Sequence, residues 1–392
     1  MRKTKNKSLI ILIALTSFLT VCLSSCMEIF DDVDSQPSLH SSGNMLTEDF
    51  KENYYRLKHE NPDPDDFADA LSNAVIETVS DYKTTFKADT VLTTDQVKAV
   101  LRTVTDKAPD LFWINRYAVT STSDSDTCHV SFYPLNDLTT EELMEMHDEL
   151  EKAADEIIAE IPEDSDDYEK ILFVHDYIVN NTDYDFDGAR AKERGLYHTA
   201  YGCLVDRKAV CLGYAEAFQY IMNKLSIESG VCTGEADSQS HAWNYVKVNG
   251  EYYWIDVTWD DPQSEDEEKE SEIGIRHTYF LINNKMMFRG DRYVDDEYSD
   301  IIPECTCLDD NYYVKKDALF DEYSIEKIAE LVSQDDGSRK LEMMFRDEYD
   351  YNQAKDCLFE GNEILLLDEY TELSDTINWA CNDKMYELFV YY

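Results

Sequence analysis

Asn249-Gly250 sits between two β-rich runs, and it constrains the fold more than any other pair in this chain. Asn-Gly so placed marks a two-residue hairpin turn, because both residues tolerate the left-handed backbone that such a turn requires. If these two residues are the loop, Val248 faces Glu251, Trp243 faces Asp256 and His241 faces Thr258. His241 and Asp256 then share one face as diagonal neighbours, within side-chain reach. The other face carries Ala242, Val246, Tyr253, Ile255 and Val257, an apolar set suited to a core. The hairpin therefore offers a histidine and an aspartate to whatever packs against it.

The nearest candidate is the helical pattern that precedes it. Cys211, Tyr214, Ala215, Phe218, Ile221, Met222 and Leu225 recur at steps of three and four, giving one apolar stripe. Cys211 falls in the first turn on the packed side. There the free N–H groups and the positive end of the helix dipole favour a thiolate. A nucleophile, a base and a group that orients the base is what cysteine acyl-transfer chemistry needs.

The blocks AYGCLVDRKAVCLGYAEAF, HAWNYV and YYWIDVTWDDP resemble the transglutaminase-like superfamily of cysteine enzymes, in particular its bacterial secreted members. The resemblance spans roughly Tyr168 to Leu281. It implies an α+β fold with a papain-like core, in which an antiparallel sheet packs on the nucleophile helix. It also implies Cys211 as nucleophile, His241 as general base and Asp256 as the residue orienting that base. Peptidases, amidases, transglutaminases and silent members all occur in the family. A catalytically silent binding or structural lipoprotein on the same fold is thus the alternative reading. Trp243 and Trp259 flank the triad in sequence and are candidates to wall an acyl groove, with buried packing as the alternative.

The N-terminus reads as an address. Arg2, Lys3, Lys5 and Lys7 precede an apolar run from Leu9 to Val21 that is short for a bilayer span. It ends in Leu23-Ser24-Ser25-Cys26, which resembles a bacterial lipoprotein signal with Cys26 as the lipidated residue. The expected location is extracytoplasmic, on a lipid anchor. The 83 acidic against 35 basic residues, net −48, make nucleic acid and anionic membrane surfaces poor partners. A peptide or protein substrate, such as a surface protein, fits better.

Ten cysteines are scattered without zinc spacing, and they read as mostly reduced, buried thiols. Asp183 to Gly188 imitates the start of a calcium loop, but Arg194 stands where the closing glutamate belongs, so an Asp-rich turn is the better reading. The acidic run from Asp260 to Glu272 reads as a solvated loop. No metal and no organic cofactor is implied. His175 lies on the apolar side of a helix from Tyr168 to Asn180 and reads as a hydrogen-bonded core histidine; His129 and His277 read as structural, and His198 stays unassigned.

The expected organisation is a signal peptide at 1–26, a tether at 27–46, a mainly helical domain at 47–162, the transglutaminase-like unit at 163–300 and a small α+β unit at 310–392. The helical signals in the second domain are Phe67, Leu71, Ala74, Val75 and Thr78, then Val97, Val100, Leu101 and Val104. Cys128 to Tyr133 reads as a strand. Thr139 with Glu142 marks a capping box before a helix stopped by Pro162. His277 to Asn283 (HTYFLIN) reads as a further strand of the core sheet. In the last unit, a helix capped by Ser324, a strand through Leu341, Met343 and Phe345, a helix from Tyr351 to Glu360 and a strand from Met385 to Tyr392 are expected.

Overall fold

The computed structural model describes residues 128–262, 274–289, 292–295, 302–334, 337–374 and 376–392, preceded by 108–121 and the short pieces 10–13, 75–76, 80, 82, 85–88 and 104. Outside these residues lie most of the leader, Cys26, the tether, most of both early helical stripes and the acidic run beyond Pro262.

Helix α1 (Thr140–Glu160) opens on the expected capping box. The Thr139 N–H donates to Glu142 Oε2 at 2.8 Å, and the Glu142 N–H donates to Thr139 Oγ1 at 3.3 Å. Helix α2 (Asp167–Asn181) repeats the device with Asp166 and Glu169. Each box satisfies two N–H groups that the first turn leaves without helical partners. Leu143, Leu150, Ala154 and Ile157 of α1 enter the same core as Ile171, Val174 and Ile178 of α2.

Helix α3 (Cys211–Lys224) completes that core. It is buried on every side from Cys211 to Met222, including Glu216 and Gln219, rather than along the single stripe its spacing suggests. The reason is that both of its faces are covered. A sheet lies on one, and α2 with the short helix Ala200–Leu204 lies on the other. Leu225 caps the helix and is half-buried.

The sheet consists of β1 (Ser229–Ala236), β2 (Gln239–Val248), β3 (Glu251–Ile255) and β4 (Arg292–Val294), all antiparallel, in the order β4-β1-β2-β3. Asn249 and Gly250 have φ of 53° and 90°, the mirror-image turn expected of this pair. Val248 pairs with Glu251 as the two-residue loop requires, and the ladder runs back to Asn244 opposite Ile255. There the strand stops. Val257 and Thr258 do not continue it; they belong to the short helix α4 (Val257–Asp260), capped by Asp256. The run from His277 to Asn283 is likewise not a strand. It turns at 277–281 and touches β3 through one bridge, where Trp254 and Ile282 exchange backbone hydrogen bonds of 2.9 and 3.0 Å.

Two further sheets flank this core. Thr85–Ala88, Cys128–Pro134 and Ile114–Ser121 form one, with the Cys128 strand in the middle; only that strand was legible in the sequence. The C-terminal sheet runs in the order Ile10–Ile13, Thr376–Asn382, Glu387–Tyr391, Lys340–Phe345 and Leu319–Phe320. Its helix Ile325–Ser333 is capped by Ser324 as expected. The next helix starts earlier than its apolar pattern suggests, at Glu348 behind the cap Asp347, and its end widens into a π turn at Asp356–Glu360 before Gly361. The last strand begins at Glu387 rather than Met385.

Candidate active site

Cys211 is the first residue of α3 and only 2% exposed, among Leu212, Ala215, Val231 and Ala242. The turn Leu196–His198 presses on this end of the helix. The Val210 N–H donates to the Tyr197 carbonyl at 2.8 Å. A Cβ at Gly213 would lie 2.7 Å from that same oxygen, so only glycine allows the approach.

His241, on β2, meets Asp256 as the hairpin register implied. Its Nε2–H donates to Asp256 Oδ2 at 2.8 Å, leaving Nδ1 for the Cys211 thiol, which is hydrogen-bonded to the ring. Burial by itself would push the His241 pKa down. The Asp256 carboxylate, its hydrogen bond and the Cys211 thiol outweigh that and raise it to about 9. Both neighbours thus favour the protonated ring over the neutral one.

Asp256 is fully buried, and three donors hold it. Oδ2 accepts from His241 and, at 2.8 Å, from Arg292 Nη1; Oδ1 accepts from the Trp259 N–H at 3.1 Å. Burial would raise its pKa, but the charges of His241 and Arg292 hold it down at about 2. The carboxylate cannot rotate away without abandoning the helix it caps.

Arg292 is the residue that sequence reasoning missed. It reaches the site from β4, 36 residues beyond Asp256. Its guanidinium is caged by Trp259, Tyr279 and Trp243, with ring centroids at 4.1, 4.7 and 5.0 Å. β4 can come this close because Gly234, paired with His241 on one side and Val294 on the other, has no side chain. A Cβ there would sit 2.1 Å from the Tyr293 carbonyl oxygen and 2.7 Å from the Trp243 ring. The signal available in sequence was indirect: a buried Asp256 beside a histidine calls for a second cation.

The two tryptophans serve this assembly. Trp243 is 1% exposed and stacks on His241 at 5.7 Å, which packs one face of the imidazole. Trp259 is half-buried, 5.3 Å from the same ring, and its other contact is the Arg292 cage. His175 is buried and hydrogen-bonded, as its position on α2 suggested. Burial, then the Arg194 charge, lower the His198 pKa to about 4, and its Nδ1 accepts from the Gly195 N–H at 3.2 Å. The Asp183–Gly188 run is a capped turn: Asp185 accepts from the Gly188 N–H and pairs with Lys208. Among the described residues Cys203, Cys211, Cys232 and Cys305 are buried and Cys307, Cys357 and Cys381 half-buried, all outside disulfides. Burial pushes Cys203 and Cys305 up to about 12.

Comparison with known proteins gives the same region a family. The model of the transglutaminase-like superfamily matches residues 153–258. No curated protein matches the sequence. Among solved structures, a TGase is 17% identical over 44% of this chain and 50% of its own, with a TM-score of 0.27. A candidate cysteine protease from Cytophaga hutchinsonii is 18% identical over 38% and 63%, TM-score 0.25. A candidate protease from Parabacteroides distasonis is 13% identical over 36% and 35%, TM-score 0.20. The chain thus spans less than two thirds of each. Residues 153–258, which contain Cys211, His241 and Asp256, are a transglutaminase-like superfamily domain.

Proposed function

We propose that this domain is a cysteine acyl-transfer enzyme acting on peptide or protein amide bonds, with hydrolysis as the net reaction. One observation carries the reading: a cysteine at a helix start bonded to a histidine whose other nitrogen is held by a buried carboxylate. In this scheme the Cys211 thiolate attacks the amide carbonyl and the C–N bond breaks as the His241 imidazolium protonates the departing amine. The thioester is then cleaved by water, whose proton His241 takes and returns to the thiol as the acid leaves. Asp256 keeps the imidazole oriented and stabilises its charged form, and Arg292 positions Asp256. Water is favoured as acceptor because an amine would require a second binding groove.

The test needs no known substrate. Brief iodoacetamide treatment near pH 6, followed by peptide mass mapping, is expected to label Cys211 ahead of Cys203, Cys232 and Cys305. Helix start and imidazolium together bring a thiol down from about 8.5 into a range of about 3.5–7.5. Labelling of Cys211 no faster than of the buried thiols would favour a silent binding scaffold instead.

The same proposal places the enzyme outside the cytoplasm on a lipid at Cys26, motivated by the basic and apolar leader ending in Ser24-Ser25-Cys26. Cys26→Ser is expected to move the protein out of the membrane fraction or to block its maturation. Membrane association equal to wild type in fractionated cells would refute the anchor.

A further inference from the structure

Beside the cysteine site, α2 and the 277–281 turn bring two histidines against one carboxylate oxygen. His175 Nδ1 lies 2.9 Å and His277 Nε2 3.1 Å from Asp176 Oδ1. The far nitrogen of each ring is held by another acid: His175 Nε2 is 3.1 Å from Asp260 Oδ2, and His277 Nδ1 is 3.3 Å from Glu342 Oε1. Those acids are fixed in turn. Asp260 accepts from the Tyr279 N–H at 3.0 Å, Glu342 pairs with Lys340 at 2.8 Å, and Tyr312 stacks on the His277 ring with centroids 3.7 Å apart. Carboxylates on the outer nitrogens, setting ring orientation and tautomer, are the partners that metal-bound histidines have.

The dimensions and the approach fit an ion as well. The three ligand atoms all lie within 4.8 Å of one another. Tetrahedral bonds of about 2.0–2.2 Å place ligand atoms about 3.4 Å apart, and the two nitrogen–oxygen distances of 2.9 and 3.1 Å are already close to that value. Asp176 is 34% exposed and opens on a cavity of about 670 Å³. Glu160, Asp164 and Glu169 line that cavity with it, and no lysine or arginine does. A cation therefore has an acidic entrance leading to ligands that are already oriented.

We propose that His175 Nδ1, His277 Nε2 and Asp176 bind one divalent transition-metal ion of the zinc type, with water from the acidic cavity completing its shell. Two imidazole nitrogens and one carboxylate suit such an ion and not calcium or magnesium, which take oxygen ligands. Sequence spacing gives no hint of the site, because His277 lies 101 residues beyond Asp176. The ion would tie α2, the 277–281 turn and, through Glu342, the C-terminal sheet to α4. Asp256 caps one end of α4 and Asp260 closes the other. The ion thus braces the support of the cysteine site without touching the reacting atoms, and its existence does not depend on the proposed chemistry.

The full chain, stripped with EDTA, is titrated with Zn²⁺ by calorimetry and with Co²⁺ by visible absorption. The expected result is one ion per chain, with Co²⁺ d–d bands and no thiolate charge-transfer band, unchanged in Cys211→Ala. Saturating Zn²⁺ should raise the melting temperature. Asp176→Asn, on a side chain that is partly exposed, should weaken binding at least 100-fold with an unchanged near-ultraviolet spectrum. Glu342→Gln, which touches no metal, should weaken it 10–100-fold and stands in if Asp176→Asn fails to fold. Absence of binding to the folded wild type, binding that survives these changes, or a thiolate band lost in Cys211→Ala would each overturn the site.

Discussion

With an activated phenyl ester the proposed chemistry predicts a burst of acyl-enzyme, and replacing Cys211 with alanine is expected to abolish it. Rate losses for the nucleophile or base of such a unit reach on the order of 10⁶-fold, and the orienting carboxylate accounts for about 10⁴. His241→Ala should therefore fall nearly as far as Cys211→Ala, and Asp256→Asn by about four orders of magnitude, with circular dichroism unchanged. The pH dependence has a definite sign. His241 binds its proton more tightly in the folded protein, about 9 against an ordinary 6.5, so the stability this gives is complete below pH 6.5 and is lost as pH rises through 9. Asp256 moves the other way, from 3.8 to about 2; its contribution is complete above 3.8 and is lost as pH falls through 2. Both are in force between pH 3.8 and 6.5. Turnover of an amide, which needs the imidazolium to protonate its amine, should decline as pH rises through about 9. The ester burst, whose leaving group needs no proton, should persist. A burst that survives in Cys211→Ala would end the acyl-enzyme reading.

Arg292→Leu is expected to cost about 3–5 kcal/mol in urea denaturation, because it leaves the buried Asp256 charge with His241 as its sole cationic partner. The Arg292 side chain is 3% exposed and Asp256 fully buried, so water cannot take the place of the lost cation. Three aromatic faces lose their occupant at the same time. The penalty should shrink in an Asp256→Asn background, where there is no charge left to compensate; that coupling separates the ion pair from lost packing. A cost below about 1 kcal/mol in the single variant, or no coupling, would show that Arg292 is filler and not a support.

How much of this was legible in the sequence follows from the range of each interaction. The capping box at Thr139 involves groups three residues apart, and it forms. The Asn249-Gly250 turn sets its register through its own backbone, and His241 and Asp256 follow from it. Alternation alone, however, carried β3 through Val257. There Asp256 turns its Oδ1 to the Trp259 N–H and starts a helix, a competition between cap and ladder that periodicity does not register. HTYFLIN has strand composition, yet its turn is held by Asp260, whose carboxylate accepts from the Tyr279 N–H.

Short-range chemistry was enough for the local devices: the hairpin, the helix that begins at Cys211, the Thr139 cap and the three blocks that resemble the transglutaminase-like superfamily. Their surroundings came from contacts between distant parts of the chain. The tertiary structure brought Arg292 to Asp256 across 36 residues and His277 to Asp176 across 101, and it set Trp243 beside the Arg292 guanidinium. The physical reason is the same in each case. A buried charge must find its counter-charge in space, and the chain separation between the two is set by the topology of the sheet and not by any local pattern.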